Sequence, residues 1–267
     1  AKSRHLRNRV STSLDTNGAC GMFDQFTAVQ IVAALLAAFG SAFVRGLTGF
    51  GMAILIVPIL ALALSPVHAV LLTNFLSVFI GLSEIRRLLR NAEKTAWTII
   101  ALVAVTTPVG LYALSLTSPS IARVVIAFIA LSAFVAILLP RRGAMDHHPA
   151  TTGGVGILSG LMTGYAGMPG PPVVPYYVGR DIPRETAKAS MLLIFTCASS
   201  VGLASGAAIG VLELNLALLA ALLFPAVLLG NYLGDRLSGR IADRTWRICV
   251  GVVLGAAAVA ALVKAIG

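Results

Sequence analysis

Charge is what this sequence has least of. Asp, Glu, Lys and Arg make up 11% of its 267 residues, while 58% are hydrophobic. Soluble domains carry about 25% charged residues. No soluble core of this size could hide so much apolar surface, because folded domains still show much of their surface to water. A water-soluble globular protein is therefore excluded, and a hydrocarbon solvent resolves the conflict. Motifs that carry chemistry are missing too. The three cysteines, Cys20, Cys197 and Cys249, are too far apart for metal-ligand spacing. Cys197 and Cys249 sit in apolar runs, as small buried residues do. There is no Gly-Lys-Ser phosphate loop, no Gly-x-Ser-x-Gly elbow, no zinc pair and no haem motif. The chain thus carries no ATPase of its own and implies no cofactor and no metal. Its apolar runs hold no paired acid–base constellation, and Glu84 and Asp235 stand at span ends. We read it as not an enzyme.

What is there is a succession of apolar segments, at 26–44, 50–64, 67–84, 96–116 and 120–139, then 153–167, 170–178, 187–209, 214–233 and 245–265. Most approach the roughly 20 residues a membrane helix needs; 50–64 and 170–178 are short for a full crossing. The net charge of +10 does not form one basic patch, so nucleic acid is excluded as a partner and the lipid bilayer is expected. Of the 16 Lys and Arg after Met22, 13 lie in four connections: Arg86, Arg87, Arg90 and Lys94; Arg141 and Arg142; Arg180, Arg184 and Lys188; Arg236, Arg240, Arg244 and Arg247. The alternate connections, near Ser65, Thr117–Ser120 and Val211–Leu214, carry none. The positive-inside rule places the four basic connections in the cytoplasm. His147 and His148, beside Asp146, read as solvated loop residues, and Arg123 as an outer-rim residue.

The two halves resemble each other. Gly46-Leu47-Thr48-Gly49-Phe50 matches Gly164-Tyr165-Ala166-Gly167-Met168. Pro58 matches Pro175, Pro66 matches Pro183, Thr73 matches Ser190, Gly110-Leu111-Tyr112 matches Gly230-Asn231-Tyr232, and Ile121-Ala122 matches Ile241-Ala242, at an offset held between 117 and 120. Segment 67–84 runs inward and segment 187–209 runs outward, so the repeats have opposite orientation. The expected fold is an all-α polytopic membrane protein of two inverted repeats. Each repeat has a Gly/Pro-broken re-entrant or short hairpin plus three spanning helices, giving roughly 8–10 membrane segments. The expected organisation is a polar N-terminal extension at 1–21, a first repeat at 22–140, a cytoplasmic linker at 141–152 and a second repeat at 153–267. Residues 1–21 are polar and basic, and Met22-Phe23-Asp24 resembles a natural start.

Both halves break at the same place, at Arg45–Gly51 and at Gly164–Pro172. Proline removes a donor and glycine loosens a helix, and backbone freed this way must be buried in protein or line a wet cavity. Two hairpins entering from opposite faces would bring their tips together near the midplane, with helix N-termini facing an anion. The alternative is that the glycines only permit close packing. Arg45, beside the first break, supplies a fixed cation able to grip a sulfonate, sulfite or carboxylate in a bidentate way; otherwise it snorkels to a surface. The candidate substrate-binding set is Arg45, Gly46, Thr48, Gly49, Gly51, Thr73, Asn74, Gly164, Gly167, Gly170 and Ser190. For Thr and Ser, back-bonding within the helix is the competing role. Tyr165 and His68 are candidates for gating or coupling, with an interfacial position as the alternative for each; Tyr176 and Tyr177 flank the second break and carry the same pair of readings.

The stretch Gly46-Leu47-Thr48-Gly49-Phe50-Gly51 through Pro58, then Pro66-Val67-His68-Ala69 and Thr73, resembles the first half of the TauE/SafE sulfite exporter family. Gly160 through Gly170, Pro175, Pro183 and Ser190 resemble its second half. The resemblance covers nearly the whole chain after Met22. It implies a multi-pass permease of the inner (cytoplasmic) membrane for small sulfur-containing or organic anions. Met168-Pro169-Gly170-Pro171-Pro172 departs from the family by being unusually Pro-rich, which bears on substrate identity. The expected function is a secondary transporter moving a small anion, sulfite or an organosulfonate, by alternating access. The alternatives are an uptake permease for another small organic anion, or a membrane subunit or channel that needs a partner. A homo-oligomer is compatible with the sequence.

Overall fold

The computed structural model describes residues 28–48, 50–138 and 148–237, with a few isolated helical positions between 252 and 263. The readings made for residues 1–21, for Gly49, for 141–147 and for most of the apolar run 245–265 lie outside the described residues. Among the described residues every regular element is a helix: α1 (Ala28–Thr48), α2 (Met52–Ala63), α3 (Pro66–Asn91), α4 (Lys94–Leu116), α5 (Pro119–Leu138), α6 (Pro149–Ala166), α7 (Gly170–Val178), α8 (Arg184–Ala208) and α9 (Leu214–Leu237). Five of them, α1, α3, α4, α8 and α9, are long and apolar enough to cross a membrane. Side chains such as Val105 and Phe128, each 71% exposed, make an outward apolar surface that suits lipid and not water.

Helix boundaries follow local chemistry. Ser65 accepts the His68 N–H at 3.2 Å and Pro66 opens α3. His148 Nδ1 accepts the Ala150 N–H at 3.3 Å and Pro149 opens α6. That start falls inside the stretch 141–152 read as linker: capping, not hydrophobicity, begins this helix. α3 runs to Asn91, well past the apolar run 67–84, because Arg86, Arg87 and Arg90 are good helix formers that end the apolar run without ending the helix.

Two hairpins shape the interior. The Gln30 amide donates to the Ala63 carbonyl at 2.7 Å, which brings the end of α2 back beside the start of α1. At ~1.5 Å per residue α2 is about 18 Å long and α7 about 14 Å, each short of a ~30 Å hydrocarbon core. The second hairpin, α6–α7, turns at Gly167, and Ser159 Oγ donates to the Pro169 carbonyl across the turn at 3.0 Å. Each hairpin arm packs on a long helix of the other half. A Cβ on Gly46 would overlap the carbonyl oxygen of Asn231 on α9, and a Cβ on Gly164 would overlap the carbonyl of Thr107 and the amide of Leu111 on α4. Leu111 and Asn231 are positions matched between the two halves of the sequence, and each is met by a glycine of the other half's hairpin arm.

Helices α3 and α8 cross antiparallel through the middle. Leu71 meets Gly206, Asn74 meets Gly202, and Gly81 is pressed against Thr196. Small residues allow this approach where lipid removes the hydrophobic drive for helix association. The core around it is continuous, from Ile56, Val57 and Leu60 of α2 to Leu71, Leu72, Leu76 and Ile80 of α3, all 2% exposed or less. The basic ends of α3, α8 and α9 gather on one side, where Arg87 donates to Glu185 at 2.7 Å. We call this side the basic face.

Candidate functional site

The two hairpin tips meet in one cavity of about 50 Å³. Arg45, Phe50, Gly51 and the first residues of α2 come from one side; Met168, Pro169 and Gly170 come from the other. Ser77 of α3 and Leu192, Phe195 and Thr196 of α8 complete the wall beside the central crossing. A water needs roughly 10–15 Å³ of such space. The cavity therefore takes a few waters or one small oxyanion, and excludes a sugar or a nucleotide without rearrangement.

Its electrostatics come from three sources. Arg45 is the one charged side chain among the described residues that line it. Gly51, at φ 96°, reverses the chain and begins α2 with no side-chain cap. The N–H groups of Met52, Ala53 and Ile54, having no partner within the helix, lie at that terminus with the positive end of its dipole. The second tip gives less. Pro171 and Pro172 occupy the second and third positions of α7 and carry no N–H, so Gly170 is the donor left there before Val173.

On the basic-face side the cavity adjoins a larger vestibule of about 460 Å³, lined by Arg45, Gly46, Glu84, Arg87, Lys188, Leu192, Leu228, Asn231, Tyr232 and Asp235. Arg45 and Leu192 belong to both spaces. Arg45 therefore faces a polar passage and not the lipid. No hydrogen bond or ion pair to its side chain is found among the described residues.

The structure brings together some of the sequence candidates and separates others. Arg45, Gly51 and Gly170 line the cavity. Gly46 and Gly164 lie at helix contacts, and Gly46 also borders the vestibule. Gly167, at φ 65°, ends α6 and lies against Val57 and Val70. Thr73 Oγ1 bonds to the Ala69 carbonyl of its own helix at 2.8 Å. Ser190 donates to the Thr186 carbonyl and accepts the Glu93 N–H, both at 2.8 Å. Asn74 is fully buried against Gly202, and neither of its amide atoms has a partner among the described residues. Tyr165 Oη donates to Thr117 Oγ1 at 3.3 Å, far along its helix from the basic face. His68 Nε2 lies 3.3 Å from Glu213, joining the start of α3 to the segment before α9. Thr48 ends α1; its side chain and Gly49 lie outside the described residues.

Sequence reasoning missed part of the cavity wall and one buried network. Ser77 lies one helical turn beyond Thr73, a spacing that could have pointed to it. Arg180, counted as a topology signal, is buried, its side chain 2% exposed. Its Nη2 donates to Glu93 Oε1 at 2.5 Å, and its Nη1 donates to Thr95 Oγ1 at 3.0 Å and to the Tyr176 hydroxyl at 2.9 Å. Its guanidinium sits 5.0 Å from the Tyr176 ring centre and 5.8 Å from that of Tyr177. Tyr176 and Tyr177 hydrogen-bond Thr152 and Thr95 at 2.8 and 3.0 Å. The spacing Tyr176–Arg180, one turn apart, was the available signal. This network ties the end of the second hairpin to the α3–α4 connection of the first half.

Comparison with known proteins supplies the context for this geometry. The probable sulfite/organosulfonate exporter TauE of Cupriavidus necator is 28% identical over 101 residues, 38% of this chain and 40% of that protein. The chain thus aligns with under half the length of that curated relative. No solved structure matches the chain. The family described as "Sulfite exporter TauE/SafE" matches residues 34–261, a stretch that holds both hairpin tips, the cavity and the vestibule. On a match over most of its length, the chain belongs to the sulfite exporter TauE/SafE family.

Proposed function

We propose that this multi-pass protein of the inner membrane is a secondary transporter that exports a small anion, sulfite or an organosulfonate, by alternating access. The observation that carries the reading is the meeting of two hairpin tips, one from each half, in a cavity whose one charged wall residue among the described residues is Arg45. Arg45 and the N–H groups at the start of α2 hold the anion; Gly170 and the apolar wall of Met168 and Phe195 close around it. Thr73, Asn74 and Ser190 shape the helices that carry the site.

The two repeats, 22–140 and 153–267, are taken as inverted copies that exchange shapes during the cycle. The equivalent contacts of Gly46 with α9 and Gly164 with α4 support this, as does the antiparallel crossing of α3 and α8. The vestibule on the basic face is then the cytoplasmic approach to the site. On the opposite side, the His68–Glu213 pair holds α3 to the start of α9 and closes that path.

The test is sulfite flux in proteoliposomes. Saturable flux that also runs as sulfite–sulfite exchange is the expected result. Flux linear in concentration, with no exchange, would make the protein a channel. No flux with sulfite or any short sulfonate would overturn the reading.

A further inference from the structure

Arg45 of α1 shares the vestibule with two acidic groups among the described residues, Glu84 of α3 and Asp235 of α9. The Glu84 carboxylate lies 3.7 Å from Arg87, one turn along α3. Arg87 is itself held by Glu185 of α8 at 2.7 Å. Glu84 therefore shares the vestibule with two guanidinium groups; here it lies beside Arg87, which Glu185 also holds, and it makes no ion pair with Arg45. Among the described residues, the other charges lining the vestibule are Lys188 on α8 and Asp235 on α9.

A guanidinium enclosed away from water is costly unless an anion accompanies it. With cargo bound, the cargo is that anion. A carrier that returns without cargo must take Arg45 through its closed form with some other partner. We propose that Glu84 is the internal counter-anion of Arg45, pairing with it when no cargo is bound and turning to Arg87 when a cargo anion displaces it. The inference rests on the transport reading above. Glu84 then has two effects: it competes with cargo for Arg45, and it permits the unloaded return that separates net export from exchange.

The experiment uses the full chain in proteoliposomes with sulfite as the probe. It reads the KM for sulfite and the ratio of net efflux to sulfite–sulfite exchange. Glu84→Gln should lower KM roughly two- to fivefold, the scale of one partly exposed ion pair. It should also lower net efflux about tenfold or more relative to exchange, because Arg45 loses its partner for the return step. Arg87→Gln removes the alternative seat of Glu84, and should raise KM instead. A wild-type KM and ratio in Glu84→Gln, beside an active wild type, overturns the counter-ion and leaves the transport reading standing. An unchanged KM in Arg87→Gln overturns it equally, even where Glu84→Gln fails to reach the bilayer. A wild type that moves sulfite in neither mode removes the transport reading and the counter-ion with it.

Discussion

The two hairpins share a plan and differ in equipment. The first tip carries a cation, Arg45, and a helix start at Gly51 whose next three residues all have an N–H. The second tip has no charge, and two of the first three residues of its short helix are prolines. Their anchorage differs in its chemistry. The second hairpin is fixed at its turn by Ser159 and at its far end by the buried Arg180 network. At the first, Arg123 Nε donates to the Ala61 carbonyl at 2.7 Å near the end of α2, and the tip itself borders the vestibule. On the proposed reading, two similar frames divide the work: one tip provides the electrostatics, the other a mostly apolar wall.

The largest expected effect breaks the anchorage. Glu93→Gln leaves Arg180 buried without its carboxylate, and a broken buried pair costs about 3–5 kcal/mol. Thermal unfolding in detergent should shift down accordingly, whereas a melting temperature equal to wild type would show that the network does not fix the second hairpin. A smaller effect sharpens the comparison from the other side. Pro171→Ala returns one N–H to the start of α7, and a helix-terminus donor contributes roughly 0.3–1 kcal/mol toward an anion. Sulfite affinity should rise about two- to fivefold on that scale. An unchanged affinity would mean that the second tip does not face the anion at all.

Much of this was legible in the sequence, for identifiable reasons. The bounds of α7, Gly170–Val178, coincide with the apolar run 170–178 because glycine and proline act locally through φ and the missing N–H. The similarity of the two halves was legible through the same residues. Pro108 of α4 and Pro225 of α9 extend it at the offset of 117, a correspondence that strengthens the equivalence of the two helices packed on the hairpin arms. Arg45 stood out because a charge beside a Gly pair, between apolar runs, is rare. What stayed hidden depends on distant partners. Arg180 looks like any other basic connection residue until Glu93, 87 positions away, is placed against it. The hydroxyls of Thr73 and Ser190 resemble site residues in sequence, and only the fold shows them bonded to their own helices. Phe195 and Thr196 sit in an apolar run like its neighbours, and become cavity wall only through the crossing of α8 with α3.

The most direct test of the division between the tips is the KM for sulfite of Arg45→Gln against wild type, in proteoliposomes with matched protein content. Loss of a charge-assisted hydrogen bond of roughly 1.5–3 kcal/mol predicts a KM about 10- to 100-fold higher. A KM equal to wild type in a well-folded variant would contradict the account, and would place the anion somewhere other than the cavity between the hairpin tips.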